Sequence, residues 1–289
     1  MTSLAQPLIR TMSRSDIPDG LRLCRASGWN QTERDWQHFL TAAPEGALVA
    51  LEQDRVIGSV ATLPYGPFAW ISMVLVDPDA RRKGVGTLLL ERGLLLSPDA
   101  VTARLDATPA GEALYRRLGF TDEYRLARWF LDASPVTVTG DSQGPATVRP
   151  IARGDWAAIL DTDASVFGAS REHLLERLIA DAPEYAWAAY HDDRLQGYVF
   201  GRHGFLREHV GPIIAESTEV AEQLLDACLN AHPGRAVFLD APEDQQQWRA
   251  ALVKRGFAIE RPLLRMYRGR LATPGQPSRI YAITGPEFG

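Results

Sequence analysis

The chain is 289 residues long, 45% hydrophobic and 23% charged, with a formal net charge of -5 at pH 7. That length exceeds one ordinary domain, and the composition excludes both a disordered chain and a general nucleic-acid binder, which would need a basic surface. Cys24 and Cys228 stand apart, with no C-x-x-C pair and no histidines at ligand spacing, so buried free thiols and no metal are expected.

In chain order, residues 9–11 read as a first strand and Asp16 as the cap of a helix reaching about Ala26. The start MTSLAQPLIRTMSR lacks the apolar core of a signal peptide. A short helix is expected over 33–40, behind a Thr32-x-x-Asp35 spacing that suits a capping box. Ala47–Glu52 and residues 56–63 alternate about Gln53-Asp54-Arg55 as a hairpin. Phe68–Val76 follows, apolar and β-branched from Ile71 onward, as in a strand buried on both faces. Asp77-Pro78 ends it, and 79–83 has no apolar period and reads as a loop.

Gly84-Val85-Gly86 then opens a leucine-rich helix, which Glu91 and Arg92 make too polar to span a membrane and Pro98 should stop. A buried strand is expected over 101–107. Thr108-Pro109 then starts a helix that carries Tyr115 and ends at Gly119. Nothing suggests a membrane partner, and a cytoplasmic location is expected.

The chain is a tandem duplication. Residues 9–16 echo 148–155, and at the same offset Asp54-Arg55 with Gly58 match Asp193-Arg194 with Gly197. Leu105-Asp106-Ala107 matches Leu239-Asp240-Ala241, and Gly119-Phe120 matches Gly256-Phe257. The expected division is a first domain over 1–132, a Ser/Thr/Gly/Pro linker over 133–146, a second domain over 147–271 and a tail over 272–289. The tail turns apolar at Ile280 to Ile283; an edge strand near the cleft and a plain tail both stay open. A Gly-x-Ser-x-Gly pattern at Gly140 to Gly144 lies in the linker, away from the strand and helix a hydrolase nucleophile needs.

Strand, glycine loop and helix make an anion cradle. A helix start offers unpaired N–H groups and the positive end of the dipole, and glycines let an anion approach the backbone. Arg81, Arg82 and Lys83 add charge at the lip of an otherwise acidic chain. The pattern fits neither a nucleotide P-loop nor a dinucleotide fold, since Leu89 stands where the latter needs glycine. Arg-x-x-Gly-x-Gly, on Arg81, Gly84 and Gly86, resembles the pyrophosphate signature of the GCN5-related N-acetyltransferases (GNAT superfamily). In the second copy Ser217, Val220 and Glu222 fall at those positions, so that half should keep the fold and lose the cradle.

The resemblance implies an α/β fold of the α+β type with a mixed sheet, in two tandem GNAT-like acyl-CoA N-acyltransferase domains. It implies acetyl-CoA as co-substrate, with Val74, Leu75, Val76, Arg81, Arg82, Lys83, Gly84, Val85, Gly86 and Thr87 as its contacts. A bulge in the strand would expose Val74, Leu75 and Val76 to the pantetheine arm and thioester. The segment Ala113 to Phe120 is similar to the family's closing motif, which makes Tyr115 the acid that protonates the thiolate, with Thr108 where an Asn is common. Leu252 stands at the tyrosine's place in the second copy. Trp29, Glu33, Asp35 and Trp36 become candidate acceptor contacts, against core packing and helix capping as the alternative.

Many relatives carry a glutamate base on the strand corresponding to Phe68–Val76, which holds no carboxylate in this chain. Asp106 is the first candidate base, with Ser72 or a water relay behind it; Asp106 could equally fix the following turn. The expected activity is acetyl transfer to a primary amine of a small molecule by direct attack, in a possible homo-oligomer. A non-catalytic binder of acyl-CoA or another small ligand is the alternative.

Overall fold

The computed structural model describes residues 7–96, 102–133, 146–271 and 273–289. Most of the expected linker, with its serine pattern, lies outside the described residues, as do Pro98 and Val101. The first copy runs β1 (Leu8–Thr11), α1 (Ile17–Ala26), α2 (Glu33–Ala42), β2 (Ala47–Glu52), β3 (Arg55–Pro64), β4 (Phe68–Val76), α3 (Val85–Leu95), β5 (Thr102–Ala107), α4 (Pro109–Arg117) and β6 (Thr121–Leu131). The second repeats that order as β7 (Thr147–Pro150), α5 (Trp156–Phe167), α6 (Glu172–Asp181), β8 (Trp187–His191), β9 (Arg194–Arg202), β10 (Glu208–Ala215), α7 (Thr218–Ala231), β11 (Val237–Pro242), α8 (Gln246–Lys254) and β12 (Ala258–Gly269). A last strand, β13 (Ile280–Ala282), has no counterpart among the described residues of the first copy.

The sequence echoes are local devices used twice. Arg10 forks onto Asp16 at 2.6 and 2.9 Å, and Asp16 also accepts the Ser13 amide at 2.7 Å. Arg149 does the same to Asp155, which accepts the Ala152 amide. Each pair fixes the entry to its first helix. Both hairpins turn on two residues with positive φ, Gln53 and Asp54 in one copy, Asp192 and Asp193 in the other, as a tight two-residue turn between twisted strands requires.

All described strands join one mixed sheet, in the order β1-β2-β3-β4-β5-β12-β6-β11-β10-β9-β8-β7, with β13 on β10. The order is symmetric about the β12–β6 seam. Each copy hands its last strand to the other: β12 pairs with β5, and β6 with β11. Chain order and spatial unit therefore part company at these two strands. Two buried ion pairs related by the duplication flank the seam, Asp106 with Arg265 and Asp240 with Arg128, each between register partners on neighbouring strands.

On one face of the sheet a single apolar core spans both copies, taking in Trp36, Phe39 and Trp70 from the first and Phe167, Leu174 and Tyr198 from the second. On the other face each copy has its own core, under α3 and α4 and under α7 and α8. Cys24 and Cys228 are both buried and free. Among the described residues no helix is long and apolar enough to cross a membrane, and no group of His, Cys, Asp and Glu is placed to hold a metal.

Candidate active site

Strands β4 and β5 are parallel and pair only from Phe68 opposite Thr102 to Trp70 opposite Arg104. Beyond Trp70 they part, leaving a notch. The bulge expected in β4 is present. Ser59 faces Leu75 while Ala61 faces Ser72, so β4 carries one extra residue, and Met73 takes it up at φ 53°. The Ser59 hydroxyl donates to the Met73 carbonyl at 2.9 Å and holds the bulge. At the strand's end Asp77 accepts the Asp79 amide and two guanidiniums, from Arg22 at 2.6 Å and Arg55 at 2.8 Å, which anchors the loop that follows.

Gly84, at φ 84°, caps α3, a conformation that would strain any residue with a Cβ. The first helical bond is from the Leu88 amide to the Gly84 carbonyl, so the amides of Val85, Gly86 and Thr87 have no acceptor within the helix. They border a groove of about 870 Å³, which Arg81 and Arg82 also line. The groove passes Val74, Leu75 and Val76 and reaches Tyr115 on α4. Lys83 is exposed and off this lining. A Cβ built on Gly84 would meet nothing within 4 Å. Open backbone amides, two guanidiniums and a notched strand are a donor set and shape that suit a diphosphate with an extended arm.

A second, smaller cavity of about 40 Å³ adjoins the groove. The two share Trp29, Val74, Asp106, Thr108, Tyr115 and Arg261, so the spaces adjoin along these residues, the tyrosine among them. Tyr115 is 9% exposed, and burial pushes its phenol up to about 12, so it keeps its proton at neutral pH. Its ring lies across Gly111, where a Cβ would come within 2.6 Å of it, and meets Phe120 edge-on. A glycine four residues before the tyrosine was a signal that the sequence reading passed over.

The expected base positions differ in their surroundings. Asp106 lines both spaces, yet each of its carboxylate oxygens accepts from Arg265 at 2.8 Å, so neither is free, and it answers a strand of the other copy instead of the turn that follows it. Ser72 lines the cavity, and its buried hydroxyl has no partner. Of the four candidate acceptor contacts only Trp29 reaches the cavity. Glu33 is exposed and accepts from Gln37. Asp35 is buried, completes the capping box with Thr32, and takes ion pairs from Arg177 at 3.2 Å and Arg202 at 3.3 Å. Trp36 is fully buried against Gly20 and Phe39, in the core.

Four charged or amide side chains on the cavity wall escaped the sequence reading: Gln31, Arg128, Arg261 and Glu287. Arg261 comes from β12 of the second copy and Glu287 from the tail that follows it. Glu287 is 2% exposed; its Oε1 is paired with Arg202, and its Oε2 has no hydrogen-bond partner.

The second copy has the same notch, since β10 and β11 pair only at Glu208–Val237 and His209–Phe238. β13 fills it. Ile213 and Ile214 of β10 face Ala282 and Ile280, Ile283 bridges to Asp240 of β11, and Trp248 donates to the Tyr281 carbonyl at 2.8 Å. The tail is thus an inner strand rather than an edge. From there it crosses to the first copy, where Trp70 donates to the Pro286 carbonyl, Tyr65 donates to the Phe288 carbonyl, both at 3.0 Å, and Phe288 stacks on Phe39. That path delivers Glu287 to the cavity.

Residues 43–122 and 159–282 each match an acetyltransferase (GNAT) domain. The chain is similar to an uncharacterized N-acetyltransferase of Bacillus subtilis (strain 168), YitH, at 24% identity over 93% of this chain and 94% of that one. Among solved structures, a putative acetyltransferase from Pyrococcus horikoshii superposes with a TM-score of 0.81 at 23% identity, covering 100% of this chain and 98% of the other. A tandem GNAT protein from the clavulanic acid biosynthesis pathway gives 0.65 at 17% identity, covering 93% and 99%. With two such domains sharing one sheet, the chain belongs to the GCN5-related N-acetyltransferases and is an acetyltransferase of the tandem kind.

Proposed function

We propose that the first copy transfers an acetyl group from acetyl-CoA to the primary amine of a small molecule, by direct attack with both substrates bound. The observation that carries this is the meeting of groove and cavity at Tyr115. The amides of Val85, Gly86 and Thr87, with Arg81 and Arg82, hold the diphosphate, and the unpaired backbone beyond the bulge at Met73 aligns the arm and the thioester carbonyl. Acetyl-CoA supplies the acyl group and a thiolate leaving group: a carbon–nitrogen bond forms as the carbon–sulfur bond breaks.

Tyr115 donates its proton to the departing sulfur and recovers one through the groove. An ammonium must lose a proton before it attacks. Asp106, held on both oxygens by Arg265, is a poor place for it; Glu287, with one buried oxygen free of partners, takes it instead. The second copy binds no coenzyme A in the usual way, because β13 lies in its notch.

The test is release of free thiol from acetyl-CoA against a panel of small amines. Release with at least one amine and none without is the expected result. Tight binding of acetyl-CoA with no release for any amine would favour a non-catalytic binder, a reading to which the missing carboxylate on β4 and the engaged Asp106 lend weight.

A further inference from the structure

Three of the four charged side chains that line the acceptor cavity are held in ion pairs. Arg128 is matched by Asp240, Asp106 by Arg265, and Glu287 by Arg202. Arg261 is left over, with no hydrogen bond or ion pair to its guanidinium among the described residues, and its Nε is buried without a partner. It also sits directly opposite Arg128 in the β12–β6 register, an arrangement of like charges that costs stability unless an anion comes between them. Burial and the nearby Arg128 pull its pKa below the usual arginine value, against the opposing fields of Asp240, Glu260 and Glu287, and an arginine stays charged at any ordinary pH.

The same cavity holds buried oxygens that lack donors: Glu287 Oε2, Gln31 Oε1 and the Ser72 hydroxyl. Buried polar groups are rarely left this way, and a cluster of them in one small space marks a place completed by a guest. What is missing is an acid group for Arg261 and a donor-rich cation for the oxygens. One small zwitterion supplies both. A guanidinium forks onto a carboxylate through two parallel N–H bonds, and an ammonium brings three donors.

We infer that the acceptor is a free amino acid or an equally small amino carboxylate, its carboxylate on Arg261 and its amine turned to Glu287, with Gln31 and Ser72 beside it. This rests on the transfer reaction proposed above and narrows its acceptor.

Binding, not turnover, decides the matter. The full chain, saturated with coenzyme A, is titrated calorimetrically with each standard protein amino acid beside the amine left when its α-carboxylate is removed. For at least one pair the amino acid should bind more tightly by about tenfold or more. Arg261→Gln should erase that preference while affinity for coenzyme A stays the same, and Arg261→Lys should restore part of it. The inference is overturned if no amino acid binds, if the bare amines bind as well, if Arg261→Gln keeps the preference, or if that variant loses coenzyme A affinity, which would assign Arg261 to the donor. A carboxylate preference without thiol release would keep Arg261 as an amino-acid carboxylate site and remove the transfer reading. Thiol release with bare amines as readily as with amino acids would do the reverse.

Discussion

Asp106 and Arg265 face one another across the β5–β12 pairing with both carboxylate oxygens 2.8 Å from guanidinium nitrogens, and neither side chain is more than 1% exposed. A pair so buried is costly to break from one side, because the survivor is left as an unpaired charge. Asp106→Asn is expected to lower the stability of the whole chain by about 3–5 kcal/mol, read as a drop in the denaturation midpoint. Loss of turnover with an unchanged midpoint would instead return Asp106 to the role of base.

Tyr115→Phe removes only the phenolic oxygen from a ring that is already packed. Turnover should fall by about 10²-fold or more with little change in acetyl-CoA affinity. Steady-state rates beside a direct binding titration check it, and an unchanged kcat would take the proton-donor role away from this residue.

Gly111→Ala tests the placement of that ring without touching it. A Cβ there would lie 2.6 Å from the tyrosine ring. Alanine favours the helix by about 0.5–1 kcal/mol over glycine, so the fold has a local gain to set against the clash. The expected outcome is a lower kcat with acetyl-CoA affinity retained. Wild-type turnover would mean that the ring has room to shift.

Gly86→Glu puts the second copy's residue into the first copy's cradle. The nearest atoms to a Cβ at Gly86 are 3.5 and 3.7 Å away, ordinary contacts, so Gly86→Ala should still bind acetyl-CoA. The glutamate should abolish binding, through its charge rather than its first carbon. Calorimetry on both variants checks this, and retained affinity in the glutamate variant would remove the diphosphate from these amides.

His38 and His209 are buried, and burial lowers their pKa to about 4 and about 3, with Arg177 and Arg202 respectively adding to the effect. An unfolded histidine titrates near 6.5. The folded state keeps these two neutral, so their contribution is fully present above about pH 6.5 and is lost as pH falls from there toward 4 and then 3, at up to about 1.4 kcal/mol per pH unit for each. Denaturation midpoints across that window should slope downward. The double variant His38→Gln, His209→Gln should flatten the slope; an equal slope in both proteins would place the acid sensitivity elsewhere.

The sequence disclosed what local physics controls. The strand, glycine loop and helix around Gly84, the capping box at Thr32 and Asp35, the paired hairpin turns and the duplication itself all rest on residues close together in the chain. What lay beyond reach is what the fold joins from afar. Nothing near Asp106 announces Arg265, 159 residues away, and a carboxylate at a strand end reads as reactive until its partner is seen. Arg261 and Glu287 stand in segments that, taken alone, look like a degenerate strand and a tail. Their part in the cavity follows from strand exchange and from the path of the chain after β13, neither of which has a sequence period.

The exchange of β6 and β12 also sets a timetable. When the first copy leaves the ribosome its β5 has only β4 to pair with and its β6 has no place to lie, because the strands that flank them are not yet translated. Long-range pairing of this kind slows folding and leaves strand edges exposed to stray association. The same exchange makes the two copies interdependent: β5 of the first needs β12 of the second beside it, and Arg261 and Glu287 wall the cavity that Tyr115 lines, so neither copy's sheet or pocket is whole without the other.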